Sequence, residues 1–274
     1  MPEPSQFVEL PRIGRVCRLG LATRGNTQLE PDDVMLAIDR GVNYLNWCGH
    51  PDGMRDCIRQ LGDRRQDVCI AVQFSARTAT AAAEELDWFL TELDTDYIDV
   101  VTYYYVEHQS EWEQIIAHDG ASTVLEKARD TGTIRSIGLT SHQRRLAGRA
   151  IESGRLDLIM VRYNAAHRSA EGQVFPIARK QNVPVVAFTC LRWGALLQPT
   201  AGDPPEYTVA TAAEWYRFVL CQPDIAVALM APNGLDELTD NLWLLENWHG
   251  LSVDELQRMR AHGDRVYRTA GEFP

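Results

Sequence analysis

Titratable and hydrogen-bonding side chains recur just after short apolar segments of this 274-residue sequence. His50 follows the apolar run at residues 44–47, and because an imidazole titrates near neutrality it is a candidate general acid. Tyr104 closes another apolar run, where a phenol is well placed to hold a substrate oxygen. The alternatives are a loop-packing role for His50 and, for the neighbouring Tyr103 and Tyr105, aromatic packing with a satisfied hydroxyl.

Other polar side chains follow predicted strands on the same side. Those that could join a metal site are Cys48, His50, Glu107, His108, His142 and His167. No HxH or HxxxE spacing selects a ligand set from them, so we interpret them as polar loop residues and expect no metal. Arg192 is the best local cation for a carboxylate or phosphate, with Trp193 as a pocket wall; the alternative is a stacked pair within the loop.

Short apolar segments alternate with amphipathic ones, and their near-continuous hydrophobicity predicts parallel strands buried on both faces. The predicted strands are Val16–Ala22, Tyr44–Asn46, Val68–Phe74, Tyr97–Tyr104, Ser136–Thr140, Leu158–Tyr163, Pro184–Thr189 and Ile225–Ala231. The predicted helices are Pro31–Arg40, Ala79–Leu93, Ser122–Thr131, Gln143–Glu152, Ala170–Gln181, Thr211–Leu220, Leu235–Leu245 and Val253–Tyr267. This alternation predicts an α/β protein, a (β/α)8 TIM barrel. An open doubly wound sheet is the rival, disfavoured because no GxGxxG turn follows the first strand.

We expect one barrel unit over residues 1–274, with an N-terminal extension at about residues 1–14 and a C-terminal helix and tail at about residues 250–274. Ser252 is the expected N-cap of that helix. The Pro-rich segment 202–207 lies between the seventh strand and its helix, on the catalytic face of a barrel, in a loop long enough for a lid. Because side chains alternate along a strand, Tyr104 is predicted to face the barrel mouth and its two neighbours the helices.

Composition disfavours several kinds of partner. The net charge of −11 and the pI near 5.1 argue against nonspecific binding to nucleic acid or to an anionic membrane. No apolar run reaches about 18 residues, which predicts no membrane span, and the first residues lack the apolar core of a signal peptide. The six cysteines form no CxxC pair, so we expect reduced thiols and a cytoplasmic location. The oligomeric state stays open, with Leu242–Trp248 as a helix packing face or a subunit contact.

Seven segments carry a family pattern in the same order. They are Arg18–Thr23 (LGLGT-type), Ala37–Tyr44 (A-x-x-x-G-I-N), Leu93–Asp99 (L-x-T-D-Y-I-D), Gly132–Ser141 (G-K-I-R-x-I-G-V-S), Tyr163–Asn164 with Arg168 (Y-N-x-x-x-R), Val185–Leu197 (V-A-Y-S-P-L-x-x-G-x-L) and a segment closed by Asn241. Together they resemble the aldo-keto reductases. The resemblance implies a barrel that binds NADPH across its C-terminal face, where a Tyr protonates a carbonyl while the nicotinamide delivers hydride. It also implies a Lys–Asp pair that lowers the Tyr pKa and a His that orients the substrate.

Other residues stand at the four positions that the resemblance makes catalytic. The Asp aligns with Asn46, the Tyr with Pro51, the Lys with Gln73 and the His with Tyr104. Proline has no proton to give, and a phenol with a pKa of about 10 yields little phenolate near neutrality without a cation beside it. We therefore expect His50 to act as the acid and Tyr104 to hold the substrate oxygen. The amides of Asn46 and Gln73 are expected to pair as neutral groups, because replacing the Asp and the Lys together avoids burying one charge without its partner.

The resemblance also implies positions for a nicotinamide cofactor, NADP or NAD. The predicted cofactor residues are Thr140, Ser141, Phe188 and Asn241. Thr140 and Ser141 stand at the positions that bind the nicotinamide carboxamide in the family, and Phe188 stands at the position of the ring that stacks on the nicotinamide. Asn241 is the residue type that the family itself has at its position. Met160 replaces a carboxamide-binding Gln, and Gly234 stands about where an Arg often meets the adenosine 2′-phosphate. Without that Arg, a preference for NADP over NAD has no visible source.

Three functional hypotheses follow. The first is an aldo-keto-reductase-like oxidoreductase of non-standard mechanism, acting on a small carbonyl or alcohol with a nicotinamide nucleotide. The alternative is a catalytically inactive ligand- or nucleotide-binding or regulatory protein on the same barrel, which the replaced catalytic residues favour. A metal-dependent isomerase or hydrolase on an unrelated barrel is the weaker third.

Overall fold

The computed structural model describes residues 5–24 and 27–271. Its strands are β1 (Phe7–Leu10), β2 (Gly14–Cys17), β3 (Leu19–Ala22), β4 (Tyr44–Trp47), β5 (Cys69–Phe74), β6 (Ile98–Tyr103), β7 (Ile134–Ser141), β8 (Leu158–Arg162), β9 (Val185–Phe188) and β10 (Ile225–Met230). Strands β3 to β10 run parallel to their neighbours and close into a barrel, in which β10 pairs with β3. The predicted (β/α)8 TIM barrel is confirmed.

Helices connect the barrel strands and cover the outer face of the barrel. They are α1 (Pro31–Asp39), α2 (Gly53–Arg59), α3 (Ala79–Leu93), α4 (Gln109–Ile115), α5 (Ala121–Thr131), α6 (Arg144–Glu152), α7 (Ala170–Gln173), α8 (Phe175–Gln181), α9 (Ala212–Leu220), α10 (Leu235–Glu246) and α11 (Val253–Thr269). Helix α3 shows why they form: Leu86, Phe89 and Leu93 recur at helical spacing and are buried, and Thr78 caps the first turn. Ser252 caps α11 as predicted, accepting from the backbone of Glu255.

The barrel interior is an apolar cluster distinct from the layer between strands and helices. Tyr44 of β4 and Ala71 of β5 belong to it, and the hairpin β1–β2 closes its lower end with Leu10. Because strand side chains alternate, the residues two positions after Tyr44 and Ala71 share this inward face. Asn46 and Gln73 therefore face the barrel interior near its mouth.

Two predicted elements are each divided in the structure. The expected strand Val16–Ala22 is split at Arg18 between the hairpin strand β2 and the barrel strand β3. Arg18 is buried there, and its guanidinium donates to the carbonyls of Leu220 and Ile225 at 2.9 and 2.7 Å, which fixes the chain where it turns into the barrel. The expected helix Ala170–Gln181 breaks into α7 and α8, because a proline in the first turn of α8 starts a new helix.

Sequence periodicity did not predict α2 and α4. Each has only seven residues, too few for an apolar repeat to stand out. Within the described residues, no helix combines the length and the apolar character needed to cross a membrane.

Candidate active site

Four rings meet at the carboxyl ends of β6, β7 and β9: Tyr104, Tyr105, His142 and Phe188, here called the mouth cluster. The ring centroids of Tyr104 and Tyr105 are 4.1 Å apart, and those of Tyr105 and His142 are 4.8 Å apart. The ring of Phe188 lies 5.5 Å from His142. Phe188 is buried and the other three are partly buried, so two phenols and an imidazole share a sheltered place at the barrel mouth.

The backbone at Tyr105 brings two adjacent tyrosines into one cluster. Strand β6 ends at Tyr103, and Tyr105 has a φ of 43°, in the left-handed region. The turn ends the alternation of the strand, so Tyr105 packs on the barrel interior, whereas Tyr103 contacts Phe74 and Trp112 on the helix side. The predicted orientation of Tyr105 toward the helices is wrong, and that of Tyr103 is confirmed. Left-handed backbone at a bulky residue is uncommon and concentrates at functional sites.

Neither phenol of the cluster is acidic. Burial raises the pKa of Tyr104, and a hydrogen bond with Tyr105 offsets part of that increase. Burial also raises the pKa of Tyr105, and the neighbouring Tyr104, Cys48 and Glu107 add to the increase. Both hydroxyls therefore keep their protons near neutrality, which suits donation of a hydrogen bond or a proton and does not suit a standing phenolate.

Glu107 fixes the imidazole of the cluster. Its Oε1 accepts a hydrogen bond from the backbone N of His142 at 2.8 Å and lies 3.2 Å from the ring Nδ1. Burial works to raise the pKa of Glu107, but the hydrogen bonds from His142 outweigh it and the pKa is lowered. An ionised carboxylate thus orients the ring through its Nδ1. The sequence pattern marked both residues only as strand-end polar groups; the signal for His142 is that it directly follows β7.

Asn46 and Gln73 do not form the predicted amide pair. Asn46 is buried, its Nδ2 donates to Cys48 Sγ at 3.7 Å, and its Oδ1 has no hydrogen-bond partner among residues 5–24 and 27–271. The barrel register gives the reason, since Asn46 lies beside Ala71 on β5, whereas Gln73 lies beside Thr102 on β6. The two amides are therefore staggered along the barrel.

His50 lies in the turn after β4 and is exposed. Its carbonyl accepts a hydrogen bond from Trp47 Nε1 at 2.8 Å, so the backbone of this turn is anchored to the core. Pro51, which we predicted to stand at the position of the family's Tyr, is also exposed, and Asp52 caps α2 by accepting from Arg55 N at 2.9 Å. The role of His50 as an acid stays a prediction.

Two of the predicted cofactor residues end β7. Thr140 is buried, and its Oγ1 has no hydrogen-bond partner within the described part of the chain. Ser141 Oγ instead accepts from Gln143 N at 2.9 Å, in the turn that leads to α6. Met160 lies beside Thr140 on β8. Because an unpaired buried hydroxyl is costly, Thr140 fits a polar group of a bound ligand.

The fourth predicted cofactor residue, Asn241, lies on α10 and lines a cavity of about 740 Å³. Its side chain is buried, and its Oδ1 has no partner among the described residues. Gly234 is the N-cap of α10 with a φ of 98°, a conformation that favours glycine, and brings no side chain to this end of the helix.

The β8–β9 side of the mouth is electropositive. Arg162 ends β8, and burial together with Arg144 and Arg192 lowers its pKa. Burial, together with Arg162, Arg192 and Arg144, lowers the pKa of His167 to about 4. Arg192, predicted as a ligand cation, is 4% exposed and donates to the carbonyl of Gly271 at 2.9 Å, which ties the end of α11 to the loop after β9.

The Pro-rich loop between β9 and α9 is fastened to α11. The carboxylate of Asp203 accepts from Thr200 N at 2.5 Å, from Arg265 Nε at 2.7 Å and from His262 Nδ1 at 3.0 Å. His262 is fully buried, and its ring stacks on Tyr207 with centroids 5.0 Å apart. Burial works to raise the pKa of Asp203, but these three donors lower it to about 2.

The candidate metal ligands do not gather into one site, although Glu107 and His142 are in contact. In the described ranges, no group of three or more His, Cys, Asp or Glu side chains is arranged to hold a metal ion. His108 is instead the N-cap of α4 and forms a capping box with Glu111, and His167 packs edge-on against Tyr267.

The fold and the site together define a barrel protein whose polar groups gather at the carboxyl ends of the strands, where (β/α)8 enzymes have their active sites. The sequence model described as "Aldo/keto reductase family" matches residues 32–218, more than half of the chain. The chain belongs to the aldo/keto reductase family.

Several known proteins are similar to this chain. An NADH-specific methylglyoxal reductase of Escherichia coli (strain K12) is 29% identical over 119 residues, which are 41% of this chain and only 34% of that protein. An aldo/keto reductase from Klebsiella pneumoniae in complex with NADP and acetate shares 19% identity at a TM-score of 0.76, over 95% of this chain and 96% of that one. The holo form of an aldo-keto reductase from Bacillus halodurans shares 18% identity at a TM-score of 0.73, over 94% and 96% of the two chains. At these identities the two structures show a common fold.

Proposed function

We propose that this chain is an oxidoreductase of non-standard mechanism that interconverts a small carbonyl compound and its alcohol with a nicotinamide nucleotide. The mouth cluster carries the proposal, because it brings two protonated phenols and an oriented imidazole to the catalytic end of the barrel. The names of similar proteins support the cofactor class, since one is an NADH-specific reductase and another binds NADP.

The residues present fit such a nucleotide. Thr140 Oγ1 and Asn241 Oδ1 are buried polar atoms without partners among the described residues, and Phe188 offers a ring at the mouth. We assign Thr140 and Ser141 to the carboxamide, Phe188 to the face of the nicotinamide and Asn241 to the far end of the nucleotide. When bound, the reduced nicotinamide supplies a hydride to the carbonyl carbon.

The chain's own groups supply the proton. In this proposal Tyr104 donates a hydrogen bond to the substrate oxygen, and its proton moves to that oxygen as the alcohol forms. Tyr105, which hydrogen-bonds Tyr104, returns a proton to it, and His142, whose ring is oriented by Glu107, then supplies a proton to Tyr105. Asn46 and Gln73 serve as neutral polar groups beneath the site. His50 is the competing proton donor, in which case Tyr104 only orients the substrate.

Substitutions distinguish Tyr104 from His50 as the proton donor. We would follow oxidation of NADH and NADPH with a panel of small aldehydes and ketones, for the wild type, Tyr104→Phe, His142→Ala and His50→Ala. Loss of the proton donor should lower kcat by about a hundredfold, so Tyr104→Phe and His142→Ala should be slow and His50→Ala close to wild type. Tyr103→Phe is the matched control, because it removes a hydroxyl one residue away that faces the helices.

A large loss in His50→Ala with full activity in His142→Ala would move the proton donor to the β4 turn. Full activity in both Tyr104→Phe and His142→Ala would overturn the assignment. Circular dichroism of each variant excludes misfolding as the cause of a lost rate.

A non-catalytic nucleotide- or ligand-binding protein is the second candidate. The contact of Asn46 with Cys48 favours it, because a neutral amide and a thiol with a raised pKa bring no charge to this part of the barrel mouth. Tight nucleotide binding without turnover of any tested carbonyl compound or alcohol would support this second function.

A further inference from the structure

Arg162 brings a guanidinium to the inner wall of the barrel at the carboxyl end of β8. Leu158 and Met160 of the same strand belong to the apolar cluster of the barrel interior, whereas Ile159 and Val161 belong to the layer between strands and helices. Because strand side chains alternate, Arg162 continues the inward row of Leu158 and Met160. It is partly buried, and of the last residues of β3 to β10, all of which the structure describes, it is the one that carries a charge.

The barrel register places Arg162 between two members of the mouth cluster. On one side it pairs with Phe188 of β9. On the other side Ser141 of β7 pairs with Val161, so His142 and Arg162 come one residue later on neighbouring strands. Neighbouring strands are about 4.8 Å apart, so the guanidinium is within reach of the space in front of both rings. A group bound there would lie beside the place to which we assign the substrate carbonyl.

Positive charge prevails around Arg162. Burial and the neighbouring Arg144 and Arg192 lower its pKa, and the smaller contribution of Glu107 opposes them. The fields of the same three arginines reach His167 and, with burial, lower its pKa as well. Cations gathered in a partly buried place repel one another, and a bound anion would relieve that repulsion.

Arg162 is the arginine of the three that is placed for direct contact with a ligand. Arg144 lies at the start of α6, and its Nε donates to the side chain of Gln173 at 2.7 Å. Arg192 is directed to the end of α11, where it donates to the carbonyl of Gly271 at 2.9 Å. These two supply a positive field, whereas the inward guanidinium of Arg162 has the planar fork that matches the two oxygens of a carboxylate.

We propose that Arg162 binds a carboxylate carried by the substrate, so that the preferred substrates are short oxo acids and the corresponding hydroxy acids. The inference rests on the proposed function and adds a substrate class to it. The carbonyl oxygen lies at Tyr104 and the carboxylate at Arg162, on opposite sides of the mouth cluster. Within the cluster, the ring centroids are 4.1 Å apart from Tyr104 to Tyr105 and 4.8 Å apart from Tyr105 to His142. A substrate with a short carbon chain or one ring between its two groups reaches both.

Matched pairs of carbonyl compounds test the inference. We would compare kcat/KM, with NADH and with NADPH, for levulinate and its methyl ester and for para-carboxybenzaldehyde and its methyl ester. The first pair is flexible and the second rigid, and in each the ester removes the negative charge. A charge-assisted pair of hydrogen bonds should favour the acid over its ester by about tenfold or more in at least one of the pairs.

Substitutions assign that preference to Arg162. Arg162→Gln should remove it by raising KM for the acids, with the esters little changed, and Arg162→Lys should restore part of it, because lysine keeps the charge without the fork. Arg144→Gln should reduce it by a smaller factor in a protein whose barrel interior is unchanged. Arg145→Gln is the matched control and should keep the full preference, because Arg145 is exposed on the same helix α6 and its loss changes the net charge equally.

Binding provides a readout that does not depend on turnover. Isothermal titration of the full chain with levulinate and with methyl levulinate, in the presence and in the absence of NAD+, should show that the acid binds about tenfold or more tightly than the ester. Arg162→Gln should abolish this difference, and Arg145→Gln should leave it unchanged.

The outcomes separate this inference from the function on which it rests. Reduction of acids and esters with equal kcat/KM, or a preference for the acids that persists in both Arg162→Gln and Arg144→Gln, would overturn the inference and leave the proposed function standing. Selective binding of levulinate without reduction of any compound would support the carboxylate site and overturn the proposed function. Failure to bind either probe at millimolar concentration, together with no turnover, would overturn both.

Discussion

Asp203 provides a sharp test of how the loop after β9 is held over α11. Each unit of pKa corresponds to about 1.4 kcal/mol. Lowering the pKa of this buried carboxyl from 3.8 to about 2 therefore stabilises the folded state at neutral pH by about 2 kcal/mol. We expect Asp203→Asn to remove this contribution, because an amide is uncharged and places an NH2 group, a donor, where one of the two carboxylate oxygens accepts.

Thermal unfolding followed by circular dichroism measures the effect. For a chain of this size, a loss of about 2 kcal/mol lowers Tm by about 4–8 °C. The pKa is depressed in the folded state, so the stabilisation is complete well above pH 3.8 and is lost as the pH falls toward 2. The difference in the free energy of unfolding between wild type and Asp203→Asn should accordingly shrink near pH 3 to about half of its value at pH 7.

Asp264→Asn is the matched control for this substitution. Asp264 lies on α11, the helix to which Asp203 is bonded, and pairs with Arg168, but its side chain is half exposed, so the pair is worth at most about 1 kcal/mol. Limited proteolysis adds a local readout, because Asp203→Asn should also speed cleavage within residues 198–210. An Asp203→Asn protein that melts with the wild type at pH 7, or shows the same deficit at pH 3 as at pH 7, would refute the reasoning.

Three further predictions follow from packing and charge. Gly263→Ala should destabilise the fold by about 1–3 kcal/mol, because a Cβ there would lie 2.3 Å from the Ala165 carbonyl oxygen. Gly172→Ala is the control, because a Cβ at Gly172 has no atom within 4 Å among the described residues. Equal urea midpoints for the two variants would contradict the close contact between Gly263 and Ala165. Burial raises the pKa of Cys17 to about 11 and that of Cys48 to about 12, so the native thiols should react slowly with Ellman's reagent at pH 8, and fast native labelling at either position would contradict this. Glu107→Gln should lower turnover about tenfold or more while the exposed Glu113→Gln does not; equal rates would remove Glu107 from the proton route.

The long elements of the fold were predictable from apolar patterning alone. Helix α3 begins and ends at the predicted residues Ala79 and Leu93, because fifteen residues hold several turns of the apolar repeat. The strand predicted at Val16–Ala22 shows the limit of this reasoning. Its apolar run is continuous, and only the buried bonds of Arg18 to distant carbonyls reveal where the hairpin ends and the barrel begins.

The candidate site was predictable in position but not in composition. Strand ends pointed to the barrel mouth and to Tyr104, which lies there beside Tyr105. Tyr105 was predicted outward because alternation was carried past the end of β6, where the backbone turns left-handed. The pairing of Asn46 with Gln73 failed for a similar reason, since contacts across strands depend on the barrel register, which the sequence does not specify.

The central claim is that protons reach the substrate through Tyr104 and its neighbours in the mouth cluster. Single-turnover oxidation of bound NADH by an active aldehyde, compared for wild type, Tyr104→Phe and Tyr103→Phe, tests it most directly. We predict a loss of about a hundredfold in Tyr104→Phe and an unchanged rate in Tyr103→Phe. Equal rates in all three proteins would contradict the claim.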